Sequence, residues 1–198
     1  GDRTDLGLPE GQDALVLEVL KHNPRTIVVL QGGGALLTEQ WIEQVPALLM
    51  AWYPGVEGGR AIAELLFGDI SPSGKLPVSF ARDSADLPDF DNRALQVHYG
   101  MLHGYSHLDA TARAPRFCFG HGLAYTRFEW RDLQLSARDL APDAPLEVSL
   151  TLANVGERIG TEVVQLYLGM PGSRVQRAAR LLRAFERVTT DKVALLLA

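Results

Sequence analysis

The sequence predicts an α/β domain followed by an all-β domain, and three observations support this fold class. Up to residue 67, helical and strand-like apolar patterns alternate, whereas from Phe128 onward apolar residues occupy every second position. Between the two patterns lies Pro115–Thr126, PRFCFGHGLAYT, which is rich in aromatic residues and glycine. We therefore predict an α/β domain over residues 1–126 and a β-sandwich over residues 127–198.

Two apolar strands and the helices around them define the first domain. Apolar residues within Gln12–His22 repeat at helical spacing, and Pro24 follows the predicted helix end. Thr26–Leu30 and Ala47–Trp52 are short apolar runs without a polar face, which is typical of parallel strands covered on both sides. Helical spacing returns over Glu57–Phe67. This order predicts a mostly parallel sheet, of which the chain carries a part.

The composition changes after Gly68. Residues 69–116 are rich in proline, serine, aspartate and histidine, and they contain one strand candidate, Leu76–Phe80. Residues 81–116 are predicted to form a long irregular loop. Loops of this length inside folded domains usually bind a ligand or line an interface.

The second domain is predicted because apolar residues alternate with polar or small residues along the chain. Leu146, Val148, Leu150 and Leu152 alternate with polar or small residues, and the same alternation continues through residues 164–168. Asn154–Gly160, NVGERIG, has the composition of a turn between two strands. About five strands are expected, which is fewer than the seven of a complete immunoglobulin-like sandwich, so the domain is predicted to be truncated.

Charge and hydropathy exclude two classes of partner. The formal net charge is −5, and the arginines between residues 174 and 187 are interrupted by apolar residues, so nucleic acid is not an expected partner. No apolar run approaches the ~18 residues of a membrane span, so no membrane partner is predicted. The first residues lack the features of a signal peptide, and we expect any export signal upstream of Gly1. The single cysteine, Cys118, is interpreted as a buried structural thiol.

Neither a cofactor nor a metal ion is predicted. The glycines Gly32–Gly34 follow a strand, but they lack the spacing of a phosphate-binding loop, which favours a tight turn over a nucleotide site. His98, His103 and His107 are spaced by five and four residues, which does not place all three on one helical face. A nucleotide-binding α/β protein is kept as one hypothesis for the function, and it depends on Gly32–Gly34 alone.

Several long strings resemble the C-terminal region of the family 3 glycoside hydrolases. The strings are GDRTDLGLPEGQ at Gly1–Gln12, AWYPGVEGGRAIAELLFGDISPSGKLPVSF at Ala51–Phe80, VHYGMLHGYSHLD at Val97–Asp109, PRFCFGHGLAYTRF at Pro115–Phe128, NVGERIGTEVVQLYL at Asn154–Leu168 and RLLRAFERV at Arg180–Val188. The last two resemble the fibronectin type III-like domain that many such enzymes carry. The resemblance implies a partial α/β sandwich joined to a truncated fibronectin III-like β-sandwich.

The resemblance also implies an activity whose catalytic residues lie elsewhere. Enzymes of this kind cleave terminal, non-reducing β-linked sugars with retention, through a covalent glycosyl-enzyme intermediate, and require two carboxylates. The nucleophilic aspartate is expected in an N-terminal TIM barrel that this chain lacks. The acid/base glutamate is expected just before Gly1. No catalytic residue is therefore assigned to this sequence, and the missing barrel is predicted to be its partner.

Five residues are predicted to contact substrate through the same resemblance. Asp2 and Arg3 follow the expected acid/base position, where Arg3 can orient a carboxylate by paired hydrogen bonds; the alternative is that the two side chains anchor the loop. Tyr99, His103 and Tyr105 lie in a segment expected to form one wall of the sugar cleft, because aromatic and polar side chains suit stacking and hydroxyl recognition.

The sequence thus predicts part of a retaining β-glycosidase, in particular a β-glucosidase, acting on β-linked oligosaccharides or glycosides. The fragment alone is expected to be inactive. The alternative is a non-catalytic carbohydrate-binding or interaction module, and the sequence upstream of Gly1 would discriminate between the two. Resemblance to exported bacterial enzymes predicts a periplasmic or secreted location.

Overall fold

The computed structural model describes residues 5–91, 93–139, 141 and 143–197, and for 195–197 it describes the backbone alone. The predicted site residues Asp2 and Arg3 lie outside the described residues. In the described part of the chain, no helix is long and apolar enough to cross a membrane.

The first half of the chain contains the predicted parallel sheet. Helix α1 spans Gln12–His22 and strand β1 spans Ile27–Leu30. Strand β2, Ala47–Met50, pairs in parallel with β1, with Ile27 opposite Ala47 and Leu30 opposite Met50. Helix α2 spans Gly58–Phe67. The predicted order of helix, strand, strand and helix is confirmed because apolar runs and helical periodicity are strong local determinants in this region.

The core beside this sheet is built from residues far apart in sequence. Leu30, Leu36, Trp41 and Phe80 form a buried cluster. The indole nitrogen of Trp41 donates a hydrogen bond of 2.6 Å to the Asp13 carboxylate. This bond satisfies the one polar atom of a fully buried ring, as burial of a polar group requires.

Two expectations for residues 69–116 are wrong in part. Leu76–Phe80 is not a strand, because Pro77 has no N–H to donate to a ladder. The segment instead makes separate backbone pairs with residues 116–121, including Phe80 N to Phe117 O and Leu76 N to His121 O, both 2.8 Å. The predicted irregular loop also contains a short helix, α3, over Tyr105–Ala110.

Five strands are described in the second half. Strand β3, Phe128–Leu135, pairs antiparallel with β4, Val148–Asn154, and β4 pairs antiparallel with β7, Val193–Leu197. A second sheet pairs β5, Gly160–Leu168, with β6, Leu181–Thr190. The predicted turn over Asn154–Gly160 therefore joins strands of two different sheets. This is the arrangement of a β-sandwich, as predicted.

Residue contacts divide the chain into two units, each made of several segments. The first contains the described residues up to Ala63, with Leu76–His121 and Gly169–Leu181. The second contains Glu64–Lys75, Gly122–Leu168 and the described residues from Leu182 onward. The division of the chain into domains at residue 126 stays a prediction.

Candidate functional site

The carboxyl ends of β1 and β2 carry two loops that meet at one edge of the parallel sheet. The first loop contains Gly32–Gly34 and the second contains Trp52–Glu57. Backbone hydrogen bonds extend beyond the strands, from Ala51 N to Leu30 O at 2.8 Å and from Gly32 N to Trp52 O at 3.2 Å. In open α/β sheets, ligands bind at this edge of the strands, so the two loops form a candidate ligand-binding edge.

An exposed aromatic surface lies in the segment predicted to line a sugar cleft. Tyr99 is 59% exposed and its ring centroid lies 6.1 Å from that of Phe90. His103 approaches Tyr99 edge-on, with ring centroids 6.3 Å apart. The structure therefore brings together two of the predicted residues, Tyr99 and His103, and adds Phe90. We call these three residues the aromatic trio.

Tyr105 packs against Phe119. It is the first residue of α3, it is half-buried, and its ring lies 5.1 Å from Phe119 at an interplanar angle of 31°. Asp109, on the same helix, receives two hydrogen bonds from the Arg180 guanidinium, at 2.9 and 3.1 Å. These contacts fix α3 against its neighbours and leave less of Tyr105 available to a ligand than of Tyr99.

A charged cluster anchors the loop that follows Gly32–Gly34. The Arg116 guanidinium donates to both oxygens of Glu39, at 2.5 and 2.6 Å, and to Glu43 at 2.5 Å. Arg82 lies 3.3 Å from the same Glu39 carboxylate. Hydrogen bonding from Arg116 lowers the pKa of Glu39 below its usual value, although partial desolvation opposes the shift. The same contacts raise the pKa of Arg116, so both groups are charged at neutral pH.

One further residue departs from the sequence-based interpretation. Cys118 is exposed and free, so its interpretation as a buried thiol is wrong. Its neighbours Phe117 and Phe119 are half-buried, and the alternation of an extended backbone turns the thiol outward. His121 stacks on Phe117, with ring centroids 5.3 Å apart.

Among the residues that the structure describes, no three histidine, cysteine, aspartate or glutamate side chains are grouped to hold a metal ion. His103 contacts Tyr99 instead. His107 lies within α3. The aromatic trio offers ring faces on which a ligand can stack.

Comparison with known proteins connects these loops to one enzyme family. The model of the glycosyl hydrolase family 3 C-terminal domain matches residues 1–125, and that of a fibronectin type III-like domain matches residues 162–192. A β-glucosidase of Rhizobium radiobacter is 40% identical over 196 residues, which are 94% of this chain and 24% of that protein. A probable β-glucosidase I of Aspergillus terreus is 40% identical over 197 residues, covering 94% of this chain and 23% of its own length.

Solved structures show the same likeness. The β-D-glucoside glucohydrolase of Trichoderma reesei matches with a TM-score of 0.91 and 30% identity, over 100% of this chain and 31% of its own. DesR, a β-glucosidase of Streptomyces venezuelae solved with D-glucose, matches with a TM-score of 0.86 and 37% identity, over 99% of this chain and 26% of its own. The chain spans about a quarter of the length of the curated relatives it matches. The family predicted from the sequence is confirmed: this chain belongs to glycosyl hydrolase family 3, whose C-terminal domain it carries together with a fibronectin type III-like region.

Proposed function

We propose that this chain is the C-terminal part of a retaining β-glycosidase that removes terminal, non-reducing β-D-glucosyl residues from oligosaccharides or glycosides. The observation that carries the proposal is the match of 94% of the chain, at 40% identity, to a β-glucosidase. In this proposal the nucleophile and the acid/base residue lie in the rest of the enzyme, including a TIM barrel, and the chain alone is inactive. Retention requires their carboxyl groups to lie roughly 5 Å apart.

The role of this chain is then to shape the substrate cleft. The proposed contacts are Asp2 and Arg3, which lie outside the described residues, with Tyr99, His103 and Tyr105. The exposure of Tyr99 and His103 supports a role for them as substrate contacts. The support for Tyr105 is weaker, because its half-buried ring is already covered by Phe119. We further propose a periplasmic or secreted location for the enzyme.

The proposal is tested in a chimera in which this chain replaces the matching 196 residues of the Rhizobium radiobacter β-glucosidase. We expect the chimera to hydrolyse p-nitrophenyl β-glucoside and to release β-glucose first, as retention requires. The relative with that stretch deleted, and this chain alone, are expected to be inactive. A folded chimera without activity, or activity in the isolated chain, would contradict the proposal.

A second candidate is a carbohydrate-binding module without catalysis, and the exposed aromatic trio favours it. Such a module would bind oligosaccharide without any help from a barrel. Reading the gene upstream of Gly1 discriminates between the candidates. A barrel followed by a glutamate just before Gly1-Asp2-Arg3 supports the enzyme, whereas an unrelated domain supports the module.

A further inference from the structure

The loop between β2 and α2 exposes one aromatic ring at the carboxyl ends of the parallel strands. Tyr53 is 80% exposed, although its neighbour Trp52 is half-buried and packs on the core. Burying a ring usually stabilises a fold, because large aromatic side chains remove much apolar surface from water. This chain gains little from the ring where it stands, so the ring face is available for contact with a ligand.

Trp52, the residue before Tyr53, has a strained backbone. Trp52 has a φ of 54°, a left-handed conformation that is a clear outlier for a bulky residue. Its side chain is held in the core by an edge-on contact with Phe80, with ring centroids 6.3 Å apart and planes at 82°. Strain of this kind is unfavourable and tends to occur where function requires an unusual backbone.

Two glycines hold the loop and its ring in place. A Cβ atom on Gly33 would lie 2.8 Å from Tyr53 Cε2 and 2.9 Å from its hydroxyl oxygen, so the ring lies directly against this glycine. A Cβ atom on Gly58 would lie 2.6 Å from Pro54 Cγ, so the start of α2 packs tightly on the loop. The exposed ring is therefore preorganised by contacts from both loops of the ligand-binding edge.

The charges of the two loops indicate a neutral ligand. Among Gln31–Gly34 and Ala51–Gly58, the single charged side chain is the exposed Glu57. A phosphate or carboxylate would meet no cation from these segments and would be repelled by Glu57. A β-glucosyl ring is neutral, and its equatorial hydroxyls leave C–H groups on both faces that can contact the electron-rich face of an aromatic ring.

We propose that Tyr53 is a substrate-contacting residue on which a β-linked glucosyl ring stacks. This inference rests on the proposed function, and it assigns to the enzyme a sugar contact outside the segment of the aromatic trio. The ring supplies a rigid surface, and the strain at Trp52 with the close approach of Gly33 keeps that surface in one orientation. Binding is then strengthened because little side-chain entropy is lost when the sugar arrives.

The test measures binding of methyl β-cellobioside to the 198-residue chain by NMR titration of backbone amides. We expect shift changes at Tyr53 and Gly33, with binding on the order of fivefold weaker in Tyr53→Ala. Tyr53→Phe retains the ring face and should bind like the parent chain. Val56→Ser is the matched control, because Val56 is a fully exposed apolar residue of the same loop and is not aromatic.

The same variants in the chimera give a second measurement. Tyr53→Ala should raise KM for cellobiose by a similar factor, and the melting temperature should not change, because the ring is exposed. Unperturbed amides at Tyr53, or equal affinity of the parent and Tyr53→Ala in both measurements, overturns the inference. If Val56→Ser weakens binding as much as Tyr53→Ala, the loop is a general apolar contact surface for protein and the inference fails. Tyr53-dependent binding in an inactive chimera contradicts the proposed function alone.

Discussion

Two turns of this chain are similar in composition but differ in the side chain that each exposes or buries. WYPGVEGG, residues 52–59, joins a strand to a helix in the first half, and NVGERIG, residues 154–160, joins two strands in the second. In both turns the backbone passes so close to a neighbour that a side chain would collide with it. The first turn exposes an aromatic ring, whereas the second buries an amide and satisfies it.

The buried amide belongs to Asn154. Its carbonyl oxygen accepts from the Thr126 hydroxyl at 2.6 Å and from Gly156 N at 3.1 Å. Its amide nitrogen donates to Arg158 O at 2.7 Å and Thr190 O at 2.9 Å. All four hydrogen-bonding positions of the side chain are therefore used. A turn built in this way serves the fold, whereas the turn at Tyr53 has the features of a binding loop.

The largest effect is expected when the Asn154 network is removed. Asn154→Ala leaves two backbone carbonyls and one N–H without their partner in a buried site, so the free energy of unfolding should fall by about 2–4 kcal/mol. Urea denaturation measures this loss. Tyr53→Ala is the matched change in the other turn and should alter the free energy of unfolding by less than about 0.5 kcal/mol. Similar losses in the two variants would contradict the distinction between the turns.

The next largest effect is expected from substitution of Gly156, which lies in the second turn, compared with substitution of Gly33, which packs on Tyr53 of the first turn. A Cβ on Gly156 would lie 2.2 Å from Thr126 Oγ1 and 3.1 Å from Arg127 N, and the backbone nitrogen cannot move aside freely. Gly156→Ala should therefore cost about 1–3 kcal/mol. Gly33→Ala meets only outer atoms of the exposed Tyr53 ring, so it should cost less than about 1 kcal/mol and displace the ring.

Thermal unfolding of the two glycine variants checks the stability difference, and the cellobioside titration checks the displacement. Gly33→Ala should weaken binding while the melting temperature stays close to that of the parent chain. Gly156→Ala should lower the melting temperature and leave the Tyr53 amide shifts unchanged. A Gly33→Ala variant with full binding would show that the orientation of the ring is unimportant.

The ion pair of Glu39 with Arg116 is expected to make a pH-dependent contribution to stability. The pKa of Glu39 is lowered from 4.5, first by the hydrogen bonds from Arg116. The stabilising contribution of this pair is therefore fully present above that value and is lost as the pH falls through the lower pKa of the folded state. Glu39→Gln should reduce stability at neutral pH, and its difference from the parent chain should shrink below pH 4.5.

Urea denaturation at several pH values measures this difference. Glu157→Gln is the control, because Glu157 is an exposed carboxylate of the second turn. Its variant should follow the pH dependence of the parent chain more closely than Glu39→Gln does. A Glu39→Gln curve parallel to that of the parent chain through the acidic range would contradict the assigned role of Arg116.

Local sequence patterns predict the helices and strands, whereas the contacts of the candidate functional site depend on residues that are far apart in the sequence. The strands β1 and β2 and the helix α2 follow from apolar runs and helical spacing within a few residues. The contact between Arg116 and Glu39 joins residues 77 apart, so no local pattern could reveal it. The close approach of the Tyr53 ring to Gly33 likewise joins two different loops, which follow the paired parallel strands β1 and β2.

Short elements were missed for a related reason. The six residues of α3 are too few to show helical periodicity, and its buried Ser106 and Leu108 owe their burial to tertiary contacts. The sequence could still predict that Tyr99 and His103 belong to one region, since they are four positions apart. It could not show that the ring of Tyr105 is covered by Phe119.

The smallest effect concerns two buried threonines, one in the loop after Gly32–Gly34 and one beside Asn154. Thr38 follows the glycine loop, is 1% exposed, and its hydroxyl has no hydrogen-bond partner among the described residues. Thr190, beside Asn154, is also buried, and its hydroxyl accepts from Lys192 N at 3.1 Å. Replacing an unpaired buried hydroxyl by a methyl group of similar shape removes a desolvated polar atom and breaks no bond.

Thr38→Val should therefore leave the free energy of unfolding unchanged or raise it by up to about 1 kcal/mol. Thr190→Val removes a hydrogen-bond acceptor from Lys192 N and should lower it by about 0.5–1.5 kcal/mol. Urea denaturation of both variants at one pH gives the comparison directly. A loss in Thr38→Val as large as that in Thr190→Val would mean that the Thr38 hydroxyl stabilises the loop.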